Sequence, residues 1–142
     1  MSSEQNKAIV RRFYSAFEAN DETALKAVLS PELVAYTHGS PDPQTREMML
    51  QGINMWNAAF ESHFTIVEEI AEGDKVVVRI GGLFIHNRGD FQGIPPSGKQ
   101  GEDESVTIER IKDGKIVERR VFSDWSGLMQ QLGLVPSPQS AK

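Results

Sequence analysis

The chain has 142 residues, with 15 Lys plus Arg against 20 Asp plus Glu, a formal net charge of −5 and no cysteine. That length is one domain's worth, enough to bury roughly 68 to 70% of its unfolded surface and to enclose a pocket. Disulfides, thiolate metal sites and thiol nucleophiles are excluded, and the acidic balance with dispersed basic residues argues against nucleic-acid binding.

Ser2 or Ser3 is placed to cap a helix running to about Ala19, with Ile9, Phe13, Ala16 and Phe17 on one face. Asn20-Asp21 breaks it and caps a second short helix carrying Ala24, Leu25, Val28 and Leu29, which Ser30-Pro31 ends. Glu32 to His38 reads as a short strand, and Gly39 to Pro43 as a loop. A third helix is expected from about Gln44 to Glu61, its stripe of Met49, Ile53, Trp56 and Phe60 broadened by Met48, Met55 and Ala59. That width suits a helix pressed into a concave sheet. Strands follow at Ser62 to Ala71, Lys75 to Asn87, Asp103 to Lys112 and Lys115 to Ser123. Asp113-Gly114 is a type I′ hairpin signal between the last two, because both central positions of that turn need positive φ. A terminal helix carries Leu128, Met129 and Leu132 and stops at Gly133. The order ααβαββββα describes an α+β roll. Residues 1–133 are expected to form a single domain and residues 134–142, rich in Pro and Ser, a flexible tail. The N-terminal residues lack a signal peptide's apolar run and no stretch is long enough to span a membrane, so a soluble cytoplasmic protein without membrane association is expected.

Strand, Asp-Gly-Lys-Ile turn, strand, Asp124, then a short helix ending in Gln-Leu-Gly resembles the SnoaL-like polyketide cyclases of the NTF2-like and ketosteroid-isomerase-like superfamily. Gly89 to Lys99, GDFQGIPPSGK, is similar to a second signature of that family. The resemblance runs from about Glu4 to Gly133. It implies an NTF2-like cone: a curved antiparallel sheet wrapped by three helices from the N-terminal half plus a short C-terminal helix. It also implies a catalytic acid/base at Asp124. From the residues alone, Phe122 and Trp125 would remove water from that carboxylate and suit it to proton transfer, whereas a plain helix cap is the alternative role for an Asp at this position.

His38 ends the first strand, where it could hydrogen-bond a carbonyl or enolate oxygen, or lie in a solvated loop. In Ile85-His86-Asn87-Arg88 the family's histidine position falls on Asn87 and its threonine on His86. Either residue is a candidate polar group, because a one-residue shift exchanges sheet faces. His63 reads as surface. Tyr14, Phe17, Trp56, Phe60, Phe84 and Phe122 are candidate walls for a hydrophobic small-molecule ligand, with core packing the alternative for most of them. Arg79 is expected to face outward and pair with Glu109 or Glu104. No histidine-carboxylate spacing supports a metal site, and none is expected. Gly93 to Lys99 imitates a phosphate-binding loop, but Pro95 and Pro96 remove the amide donors and Gln100 replaces the hydroxyl residue. It is read as a rigid crossing loop.

These features point to a cofactor-free acid/base enzyme of the cyclase type acting on a carbonyl-bearing substrate. The alternatives are an isomerase, a cofactor-independent hydroxylase, an epoxide hydrolase, or a non-catalytic binding or assembly module on the same scaffold. An open cone leaves one sheet face uncovered, so a homodimer is expected.

Overall fold

The computed structural model describes residues 2–135, so the proposed tail beyond Val135 lies outside the described residues. Helix α1 spans Ser3–Ala19 and starts with a capping box, Ser2 accepting from the Gln5 backbone while Gln5 returns a side-chain bond. Helix α2 (Glu22–Val28) is capped by Asp21, and strand β1 (Leu29–Thr37) follows directly. A two-residue strand β2 (Gln44–Thr45) precedes helix α3 (Arg46–Ala59), which Thr45 caps. Strands β3 (Glu61–Glu72), β4 (Lys75–Ile85), β5 (Gln100–Lys112) and β6 (Lys115–Phe122) lead to helix α4 (Trp125–Gln131). Asp113 and Gly114 have φ of 52° and 77°, as a type I′ turn requires.

The six strands form one curved sheet in the order β2-β1-β6-β5-β4-β3. This is the mixed α+β architecture of NTF2-like cones. One pairing departs from the expected antiparallel sheet. β1 runs parallel to β6, with Ala35 opposite Arg119. Parallel neighbours cannot be joined by a hairpin, and here most of the chain lies between them. Register shifts with one extra residue in β3, Val67, and one in β6, Val117 opposite Arg110/Ile111, mark bulges, which bend the strands and deepen the concavity.

Helices α1 and α3 lie against the concave face. Ile9, Val10 and Phe13 of α1 and Met49, Leu50 and Ile53 of α3 join Val76, Val78 and Ile80 of β4 in the main core. A second cluster, Ala59, Phe60, Phe84, Leu128, Met129 and Leu132, closes the end of the sheet under α4. Met48 and Met55 do not widen the buried stripe of α3 as expected. They are 46% and 68% exposed, because the helix packs through one narrow face. The segment after β4 is pinned to the end of α3: Arg88 and Gly89 both donate backbone N–H to the Ala59 carbonyl. A side chain at Gly89 would meet the Ala58 carbonyl at 2.7 Å, which accounts for the glycine there. Among the described residues no helix is long and apolar enough to cross a membrane.

Candidate active site

Strand periodicity builds the site. On β5, residues 103, 105, 107 and 109 share the concave face, and residues 119 and 121 of β6, with Ser123 just beyond its end, do so. Six of these side chains, all but the wholly buried Glu109, form with Ala35 and Thr37 of β1 the sheet wall of a cavity of about 390 Å³. Tyr14 and Phe17 of α1 and Met49, Gly52, Ile53 and Trp56 of α3 form the opposite wall, and Phe64, Ile80, Phe84 and Leu128 complete the apolar lining. Trp125, 52% exposed and 5.6 Å from the Trp56 ring, stands at the rim.

The deep end of the cavity is polar. Glu109 is wholly buried and accepts two hydrogen bonds from Arg119 Nη1, at 2.8 and 3.4 Å. Arg119 Nη2 donates to the Tyr14 hydroxyl at 3.4 Å, and that hydroxyl shares a 3.2 Å bond with Thr107 Oγ1. The guanidinium also lies 4.5 Å from the Phe13 ring centroid. Burial pushes the Glu109 carboxyl up, and Arg119 opposes the rise. Burial pulls the Arg119 guanidinium down, but Glu109 and Tyr14 outweigh it and hold it above its ordinary value. The Tyr14 hydroxyl is pushed up, first by burial, and therefore stays protonated at neutral pH.

Nearer the mouth, half-buried Asp103 accepts from Ser105 Oγ at 2.8 Å. Across from it on β4 stands Gly82, and the Phe84 ring occupies the place of the missing side chain: a Cβ there would meet the ring at 2.5 Å. Asp103 is the one carboxylate among the residues lining the cavity.

The expected catalytic group lies elsewhere. Asp124 is exposed and caps α4, its Oδ1 accepting from the Gly127 backbone at 2.9 Å. Phe122 and Trp125 do not exclude water from it, being 42% and 52% exposed. The cause is parity: with Arg119, Val121 and Ser123 facing inward, Phe122 and Asp124 fall out of phase with the concave face. His38 follows inward-facing Thr37 and is exposed, its ring 5.5 Å from Phe122. Asn87 is exposed and donates to Glu61 at 2.9 Å, a bond that with neighbouring His63 holds the Glu61 carboxyl below its ordinary value. His86 is fully buried outside the cavity, with Nε2 2.8 Å from the Gly89 carbonyl oxygen and its ring 4.8 Å from Phe60. It fastens the loop after β4.

Of the candidate aromatic walls, Tyr14, Phe17, Trp56 and Phe84 line the cavity. Phe60 is sealed in the second core cluster, and Phe122 lies on the outer sheet face. The Trp56 indole N–H is taken by Ser62 Oγ at 3.0 Å. Arg79 does face outward, and pairs with Glu104 at 2.6 Å and Glu68 at 3.1 Å. Glu109 was never available to it, because residues 104 and 109 have opposite parity on β5. Asp103, Ser105, Thr107, Glu109 and Arg119 were missed in the sequence reading. The signal that could have found them is the run of polar residues at alternate positions along a strand whose partner, β4, alternates Val76, Val78 and Ile80 inward. Among the described residues no group of three or more His, Asp or Glu could hold a metal ion.

The model of the SnoaL-like polyketide cyclases matches residues 8–132. The chain belongs to this family. It is 26% identical over 130 residues to aklanonic acid methyl ester cyclase DnrD of Streptomyces peucetius, covering 88% of each protein. Among solved structures, wild-type IdmH of Streptomyces antibioticus, a candidate polyketide cyclase, superposes with a TM-score of 0.80 at 28% identity, over 91% of this chain and 99% of IdmH. AclR of Streptomyces galilaeus, a candidate hydroxylase, does so with a TM-score of 0.84 at 26% identity, over 96% and 85% of the two chains.

Proposed function

We propose that this family member is a cofactor-free acid/base catalyst of the cyclase type, acting on a hydrophobic, carbonyl-bearing small molecule held between the concave sheet and helices α1 and α3. The observation that carries this reading is the placement of one carboxylate, Asp103, in an otherwise mainly apolar cavity. In this reading Asp103 takes the part that the family resemblance suggested for Asp124. It removes an acidic proton from a carbon between activated carbonyls. The carbanion then adds to a second carbonyl carbon of the same molecule, closing a ring, and the new alkoxide takes the proton back from Asp103. Ser105 orients the carboxylate through its 2.8 Å bond.

DnrD names the first substrate to try. Aklanonic acid methyl ester incubated with the protein is expected to yield a ring-closed isomer of unchanged mass. A non-catalytic binding module would retain the ester by calorimetry and return it intact.

A second copy is the expected partner. The outer face exposes Val34, Tyr36, Val106 and Phe122 at 36 to 42%. Along the same face β5 runs from Glu102 and Glu104 through Val106 and Ile108 to Arg110. Twofold antiparallel stacking of two such faces sets the acidic end of one on the basic end of the other while covering the apolar middle. Light scattering is expected to give twice the chain mass, and Val106→Glu with Phe122→Glu to return the monomer. A wild-type monomer at micromolar concentration counts against it.

A further inference from the structure

The proton balance at the deep end of the cavity is uneven. Tyr14 and Thr107 each own one hydroxyl hydrogen, but one bond between them uses only one of the two. Arg119 Nη2 already occupies an acceptor site on the Tyr14 oxygen. Among the described residues neither hydroxyl has another side-chain acceptor, so the second hydrogen is left for an acceptor in the cavity. That acceptor would sit against a buried guanidinium, among Ala35, Ile80 and Phe64, where little water competes.

We propose that Tyr14, Thr107 and Arg119, backed by Glu109, form an oxyanion receptor for the enolate or phenolate oxygen of the ligand. The inference rests on the reading that this cavity is the substrate site, and adds what kind of substrate it takes. Thr107 lies four residues from Asp103 on one strand, about 13 Å at the backbone. The proton acceptor and the oxygen receptor therefore stand well apart, and a simple ketone could not reach both. A conjugated, fused-ring phenol or enol can: when Asp103 takes a proton at the mouth, the electron pair left behind spreads through the ring system to the oxygen at the floor. Glu109 sets the strength of the receptor. It competes with the incoming oxygen for Arg119, and its burial favours taking up a proton when the oxyanion arrives.

The test uses 4-nitro-1-naphthol, whose naphtholate is coloured, together with its methyl ether, which cannot ionise. Bound to wild-type protein, the naphthol is expected to ionise at lower pH than in solution, its naphtholate binding at least about tenfold tighter than the neutral form. Glu109→Gln keeps the shape and removes the competing charge, so it is expected to tighten naphtholate binding by about tenfold and leave the ether unchanged. Tyr14→Phe is expected to weaken the naphtholate selectively. A purely structural Arg119–Glu109 pair would not give tighter binding on loss of Glu109. Equal binding of naphthol and ether, with an ionisation midpoint unmoved on binding, overturns the receptor and leaves the cavity as substrate site. Binding of neither overturns both.

Discussion

Asp103→Asn is expected to slow ring closure of whichever ester the wild type accepts by about 100- to 10,000-fold, the usual contribution of a positioned general base. Ligand affinity should barely change, because the amide keeps the shape and still accepts from Ser105. The loss then falls on kcat rather than KM, the mark of a group acting only in the transition state. Asp124→Asn is the informative contrast. Its side chain bonds the Gly127 amide from an exposed position, so the substitution keeps the capping oxygen and is expected to leave turnover intact. Asp124→Ala should cost about 1 kcal/mol of stability, the ordinary value of a lost N-cap. Turnover abolished in Asp124→Asn and retained in Asp103→Asn would return the base to the strand end. Parallel calorimetry with a non-reactive ester analogue separates lost binding from lost chemistry.

Arg119→Met is expected to be the most destabilising single change in the cavity wall, by about 3–5 kcal/mol at mildly alkaline pH in urea denaturation. Methionine replaces the packing volume against Phe13 but strands a wholly buried carboxylate at Glu109. The penalty should shrink as pH is lowered, because the stranded carboxyl can then protonate. The wild type carries a weaker form of the same dependence. Burial already holds the Glu109 carboxyl above its unfolded value. Its contribution to stability is therefore fully present below the unfolded value and is lost as pH rises through the folded one. Glu109→Gln removes that slope. Its stability relative to wild type should rise with pH across this window, each unit of the original shift being worth about 1.4 kcal/mol. A gap between the two proteins that does not vary with pH would show that Glu109 ionises as freely in the folded protein as in the unfolded chain.

Much of the architecture was legible along the chain, because it rests on interactions between near neighbours. The capping box at Ser2 and Gln5, the cap at Asp21, the Asp113-Gly114 turn and the glycine stop at Gly133 act over a few residues and are readable from a few residues. The α+β class follows from where helical and alternating periods succeed one another. The motif order of strand, turn, strand, Asp and helix carried the family, and the match over residues 8–132 agrees. The parallel contact of β1 with β6 was not legible, since it joins segments with most of the chain between them.

The candidate site divides along the same line. Tyr14, Phe17, Trp56 and Phe84 were readable as apolar wall, because their helix or strand period puts them on a buried face. Asp124 drew attention for its place in a local motif, yet a side chain's face is decided by pairing. The registers that set Glu109 opposite Arg119 and Asp103 opposite Gly82 bring one polar row of β5 inward and turn Phe122 and Asp124 away. Sequence by itself determined which segments become helix and strand and which scaffold they assemble. Only the tertiary structure decided which carboxylates face the cavity, because strand parity has no sign until a neighbouring strand and a covering helix define the inside.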